Sequence, residues 1–190
     1  MSVAALKPIV ECLLFLSDAP LSIKKLMEIL DSTRAEDIRD AIAAISEEYE
    51  GLEKGVRLKE VAGGYQFRSR PEFKEYVKRM RRAQVSRLSK PALETLSIVA
   101  YKQPIMRSEI ERLRGVDCGG VLRYLLEKEM IRIVGRKNVP GRPLIYGTTT
   151  RFLEMFELKN LSDLPSLEEL KLIDVETDDY EPDTSTESAG

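Results

Sequence analysis

Residues 33–68 read TRAEDIRDAIAAISEEYEGLEKGVRLKEVAGGYQFR, and the period of the apolar residues changes once within them. Ile38, Ile42, Ile45 and Tyr49 fall at steps of three and four, which predicts a helix with one buried stripe. Thr33-Arg34-Ala35-Glu36 has the Ser/Thr-x-x-Glu spacing of a capping box, which would start that helix. After Gly51 the period is two. Val56, Leu58 and Val61 alternate with Arg57, Lys59 and Glu60, and Gly63-Gly64 turns the chain into Tyr65-Gln66-Phe67-Arg68, a hairpin.

Two more helices precede this stretch. Val3 to Ser17 carries Leu6, Ile9, Val10, Leu13 and Leu16 on a helical period and is broken by Asp18-Ala19-Pro20. Ser22 then caps a helix with Leu26, Ile29 and Leu30. Three helices and a hairpin make a winged-helix arrangement. Pro71 opens a further helix with Phe73, Tyr76, Val77 and Met80, after which the order recurs. Ser89 caps a helix with Pro91 in its first turn and Leu93, Leu96, Val99 and Ala100. A short helix with Ile110 and Leu113 ends at Gly115, and a third carries Leu122, Leu125 and Leu126. Ile131–Val134 and Leu144–Tyr146 form the second hairpin around Asn138-Val139-Pro140-Gly141, and Arg151–Phe156 closes the unit. Pro20, Leu21, Leu26 and Ile29 match Pro104, Ile105, Ile110 and Leu113 at a constant offset of 84. The expected fold is α+β and mostly α: tandem winged-helix domains at 1–70 and 88–158, joined by a basic linker helix at 71–87. An extension at 159–173 and an acidic, disordered tail at 174–190 complete the chain; that tail has too few apolar residues to offset its ordering entropy.

The chain of 190 residues has 43% apolar residues, enough for real cores, and no His. Without His the usual general base, most zinc sites and every His-assisted nucleophile are missing. Cys12 and Cys118 lie far apart and read as small core or half-buried thiols in a reducing cytosol. No Gly-rich phosphate loop is present, and the carboxylates fall on solvent faces. No enzyme, cofactor, metal or small-molecule substrate is expected. The start, Met1 to Ala5, has no basic leader, and Ile9 to Leu16 is too short for a membrane span and contains Glu11. A soluble cytoplasmic protein follows.

Charge decides between DNA and protein as the partner. The net charge of −2 divides into −5 for residues 1–50, +7 for 51–87, +4 for 88–158 and −8 for 159–190. The third helix of a winged unit often enters the major groove. Here residues 34–50 carry six acids against Arg34 and Arg39, so phosphate would repel them. The second unit has a basic hairpin, with Arg132, Arg136, Lys137 and Arg142, and the linker adds the patch Lys78, Arg79, Arg81 and Arg82. These suit either an acidic partner or weak, sequence-independent DNA contact. A DNA-binding transcription regulator is the alternative function. Leu14 and Phe15 exceed one buried stripe of the first helix and are the dimer-interface candidates.

From Leu88 onward the wording is specific. Leu88-Ser89, Ala92–Ile105 (ALETLSIVAYKQPI), Glu109–Val116 (EIERLRGV), Gly135–Thr149 (GRKNVPGRPLIYGTT) and Phe152-Leu153 with Leu161–Leu167 (LSDLPSL) resemble the segregation and condensation protein B (ScpB) family. In the hairpin segment Gly141 supplies a tight turn between Pro140 and Pro143, and Gly135-Arg136 would let the first strand leave the sheet. Met106 stands where the family usually has Thr, which puts the start of that helix in question. The resemblance implies a homodimer through the N-terminal domain. It also implies binding to the kleisin ScpA and, through it, to the SMC ATPase, in a nucleoid-associated complex for chromosome condensation and segregation. Partner-binding candidates within the quoted segments are Arg114, Arg136, Lys137, Arg142 and Tyr146.

Overall fold

The computed structural model describes residues 3–31, 33–51, 54–81, 88–166 and 169. The tail expected at 174–190, and Arg82 of the linker patch, lie outside these residues. Helices α1 (Val3–Leu16), α2 (Ile23–Ile29) and α3 (Ala35–Glu50) precede an antiparallel hairpin of β1 (Val56–Val61) and β2 (Gly64–Ser69). A 3-10 turn at Pro71–Phe73 runs into α4 (Lys74–Arg81). Then come α5 (Lys90–Lys102), β3 (Ile105–Met106), α6 (Arg107–Arg114), α7 (Gly119–Glu127), β4 (Ile131–Arg136), β5 (Leu144–Thr148) and α8 (Thr150–Met155). The fold is α+β and mostly helical.

Apolar residues gather in two clusters. The first joins Leu6, Val10 and Leu14 of α1 to Leu26, to Ile38, Ala41, Ile42 and Ile45 of α3, and to Leu58 of β1. The second is built on Leu96, Val99, Ile110, Leu122, Leu125 and Phe152. Each is tied to its hairpin by a short pairing that periodicity did not predict. Leu21 exchanges backbone hydrogen bonds of 3.0 and 2.9 Å with Tyr65, and Ile105 pairs with Tyr146. The constant offset in the sequence thus joins two residues with one job, pinning the helices to the returning strand. Gly64 is required at the first of these pins, since a Cβ there would stand 2.8 Å from the backbone of Leu21. Gly64 opens β2, and the turn itself is Ala62-Gly63, both with positive φ, as a two-residue hairpin demands.

Four local expectations are corrected. Thr33 does not cap α3: its hydroxyl donates to the Leu30 carbonyl at 2.8 Å, Arg34 is the N-cap residue, and Arg34 reaches forward to Asp37 instead. The other end of α3 is closed by Arg70, whose guanidinium donates to the carbonyls of Tyr49, Glu50 and Gly51 at 2.9, 2.7 and 3.0 Å. The start of α6 is secure without the Thr, because the Glu109 carboxylate accepts from the backbone N–H of Met106 at 2.9 Å. In the second hairpin β4 does not leave the sheet at Gly135; it pairs through Arg136, with a bulge between Ile133 and Gly135 taking up the extra residue. Cys118 is buried as expected, but Cys12 is exposed on α1.

The two hairpin-bearing clusters meet at a polar joint. A two-residue turn leaves its own amides free to donate outward. Here Ala62 and Gly63 donate to the carbonyls of Leu158 and Lys159 at 2.8 and 3.0 Å. Ion pairs flank them: Lys59 with Glu157, and Lys159 with Glu60 at 3.0 Å. The same segment is held to the second cluster by Leu158 and Leu164 and by the Tyr101 hydroxyl, which donates to the Pro165 carbonyl at 2.7 Å.

Candidate partner-binding surfaces

Helix α1 is apolar on both sides, so its own sequence cannot say which side faces inward. The structure buries the line Leu6, Val10 and Leu14, leaving Ile9 and Leu16, expected in the core, exposed. Leu14 is only 1% exposed, which corrects its assignment to a dimer contact: it is a core residue of the monomer. Phe15, at 77% exposure, stays a surface residue. At 100° per residue Ala5, Pro8, Ile9, Cys12, Phe15 and Leu16 share the outer face, a strip without a single charge. Beside it lies α3. Lys7 of α1 bonds Glu48 and holds its carboxyl below the usual range, while Glu11 accepts from the Tyr49 hydroxyl at 2.6 Å and pushes that phenol up. On the far side of α3, Glu36, Asp40 and Glu47 face water. The acidic helix is therefore third in its trihelical cluster, with its acids outward.

The basic candidates divide by burial. Arg136, Lys137 and Arg142 are brought together at the tip of the second hairpin and all three are exposed. Arg136 donates to the Arg142 carbonyl at 3.2 Å, which holds the tip closed, and Lys137 comes within 4.0 Å of Glu109. Arg114 is not available to a partner. Its side chain is 8% exposed and bonds Glu94 at 2.9 Å, tying α6 to α5. Tyr146 is withdrawn too: it is 6% exposed, packed in the second cluster and paired with Ile105, and burial pushes its phenol up. In the linker patch Lys78 bonds Glu75 at 2.6 Å, Arg79 is exposed, and Arg81 ends α4.

The sequence places Phe73, Tyr76, Val77 and Met80 on one helix without saying which way they face; in the structure Tyr76 and Met80 are 69% and 77% exposed, and Phe73 is partly so. The signal was present in the basic residues that fill the rest of the helix, since a helix packed on its own domain rarely carries cations on so many sides. Among the described residues no three His, Cys, Asp or Glu side chains gather to hold a metal, and no helix is long and apolar enough to cross a membrane.

Exposed apolar residues on α1 and α4 are surface of the kind that other chains cover. The model of the family "Segregation and condensation complex subunit ScpB" matches residues 8–167. The segregation and condensation protein B of Syntrophotalea carbinolica is 47% identical over 169 residues, covering 89% of this chain and 85% of its own. That of Moorella thermoacetica is 44% identical over 165 residues, covering 87% and 84%. A crystal structure of a dimer of the ScpB N-terminal domain complexed with ScpA peptide is 25% identical and covers 41% of this chain and 96% of that one, at a TM-score of 0.38. The sequence relatives, not that superposition, carry the assignment. The chain belongs to the ScpB family of segregation and condensation complex subunits.

Proposed function

We propose that the protein is a non-enzymatic adaptor. It binds the kleisin ScpA as a homodimer and joins an SMC–ScpA–ScpB complex that condenses and segregates the chromosome, in the cytoplasm at the nucleoid. In this reading each apolar cluster with its hairpin is a winged-helix domain turned to protein binding. The observation that carries it is the outer face of α1: six positions without charge, with Phe15 and Leu16 more than two-thirds exposed. A strip of that kind is costly to leave in water and is offset when a second chain covers it. Charge supports the choice of protein over DNA, because α3 offers acids where a groove-reading helix needs cations. The basic tip of Arg136, Lys137 and Arg142 suits an acidic kleisin segment that orders on binding.

Co-purification with a fragment from the middle of ScpA, followed by weighing the complex, tests this reading. Two copies of this chain per assembly are expected. A sequence-selective, steeply salt-dependent gel shift by the protein alone, with no kleisin capture, would instead favour the transcription-regulator alternative.

A further inference from the structure

The second hairpin carries its cations clear of the core. β4 ends at Arg136 and β5 begins at Leu144, and the loop between them holds Lys137 and Arg142; all three cations are exposed. Their charge is not met locally. Among the described residues Arg136 and Arg142 form no ion pair, and Lys137 has only Glu109 at 4.0 Å. Three cations held on one rigid loop draw anions from nearby solvent.

The complement lies in the same chain. From Asp174 to Gly190 the sequence has seven acids and no Lys or Arg, and six of the seven fall within Asp174–Asp183. The route to them starts beside the hairpin. The Tyr101 hydroxyl donates to the Pro165 carbonyl at 2.7 Å, and two residues further on the Gln103 side chain accepts from the backbone N–H of Thr148 at 2.7 Å, at the foot of β5. Thr148 to Pro140 is eight residues of strand and turn, at most about 27 Å. The stretch from Ser166 to Asp183 extends over as much as about 55 Å, so the acids reach the tip with chain to spare. The cations of α4 are a poorer match, since Lys78 is already bonded to Glu75 at 2.6 Å.

We propose that the acidic segment Asp174–Asp183 lies against the hairpin tip of its own chain, with its carboxylates on Arg136, Lys137 and Arg142. Each such pair is weak alone at an exposed site, but the tether keeps six acids close to one tip. An acidic partner segment has to displace the tail before it binds, so the chain screens its own surface and admits only a better-fitting partner. That consequence rests on the reading of the tip as a site for an acidic kleisin segment; the tail contact does not.

Nuclear magnetic resonance on the full chain tests the contact. A nitroxide label at Ser185→Cys, with Cys12→Ser removing the exposed thiol, should broaden the backbone amides of the tip at low salt. The broadening should disappear in about 1 M salt, where charges are screened beyond about 3 Å. It should also disappear in Lys137→Glu/Arg142→Glu, a pair that keeps the bond from Arg136 to the carbonyl of residue 142. Adding Asp178→Lys, Asp179→Lys, Glu181→Lys and Asp183→Lys restores opposite signs and should bring it back, which misfolding would not do. Tip amides that stay sharp in the parent, broaden no more than those of α4, or ignore salt and the swap overturn the proposal. So does equal broadening when the label sits on one chain and the isotope on another, which would put the tail on a second copy. The competition has its own readout. A tip covered half the time or more weakens a partner's apparent affinity about two-fold or more, so Asp178→Asn/Asp179→Asn/Glu181→Gln/Asp183→Asn should bind the ScpA fragment at least that much tighter than the parent. Equal affinity with the tip contact present overturns the screening role. A fragment captured by neither chain sinks the kleisin reading instead, and the resonance data still decide the tail contact.

Discussion

Arg70 is 9% exposed and satisfies three carbonyls at the end of α3, where the helix dipole leaves its negative pole. Nothing in the sequence around it announces this, since a lone Arg after a strand reads as surface. Replacing it by Met keeps the volume but strips the last turn of α3 of its charged donor. Charge-assisted bonds of this kind contribute about 1.5–3 kcal/mol, so Arg70→Met should lower the unfolding free energy by about 2 kcal/mol, measured by urea titration. Loss of less than a few tenths would show that water takes over the carbonyls. The errors at Thr33 and at Tyr146 have the same root as the silence of Arg70. A spacing names the partners a side chain could have, whereas long-range packing selects one. Thr33 turned back to Leu30, and Tyr146, quoted as part of a recognisable segment, went to the core.

Elements were more legible than residues. The change of period after Gly51, the caps at Ser22 and Ser89, and the second hairpin all stand where periodicity and turn chemistry put them. Short pairings such as β3 were missed because two residues are too few to show a period, and their bonds run to a strand some forty residues on. The phase of α1 was missed for the opposite reason: with Leu, Ile, Val or Phe at nearly every angle, no stripe stands out. The structure turns that ambiguity into a contrast between neighbours. Leu14→Asp places a carboxylate in the core and should leave the protein largely unfolded by circular dichroism, with a loss above about 4 kcal/mol. Phe15→Asp, one position on and facing water, should keep the parent melting temperature within a few degrees yet weaken self-association in light scattering. Equal behaviour of the two variants would mean that α1 turns a side other than Leu6, Val10 and Leu14 toward the core.

The joint between the clusters is the least legible level, because it joins residues about a hundred positions apart through backbone amides that carry no sequence signature. It is polar, a pair of amide–carbonyl bonds flanked by Lys59–Glu157 and Lys159–Glu60, so the angle between the halves should answer to charge. The hydrogen bond from Lys59, with Arg68 and Arg57 nearby, holds the Glu157 carboxyl below its ordinary range. A depressed carboxyl adds stability that is complete above the unfolded glutamate pKa and is lost as pH falls through the folded one. At neutral pH, Glu157→Gln should speed hydrogen exchange at the amides of Ala62 and Gly63 relative to the parent, and the difference should vanish once Glu157 itself is protonated. Exchange unchanged at both pH values would show that the amide bonds hold the joint unaided. A helix with oil on both sides cannot linger in solvent, so supply of this subunit has to keep step with its mates: chains made in surplus should be the first in the cell to clump or meet a protease, and titrating expression against a kleisin fragment would display that as a solubility threshold.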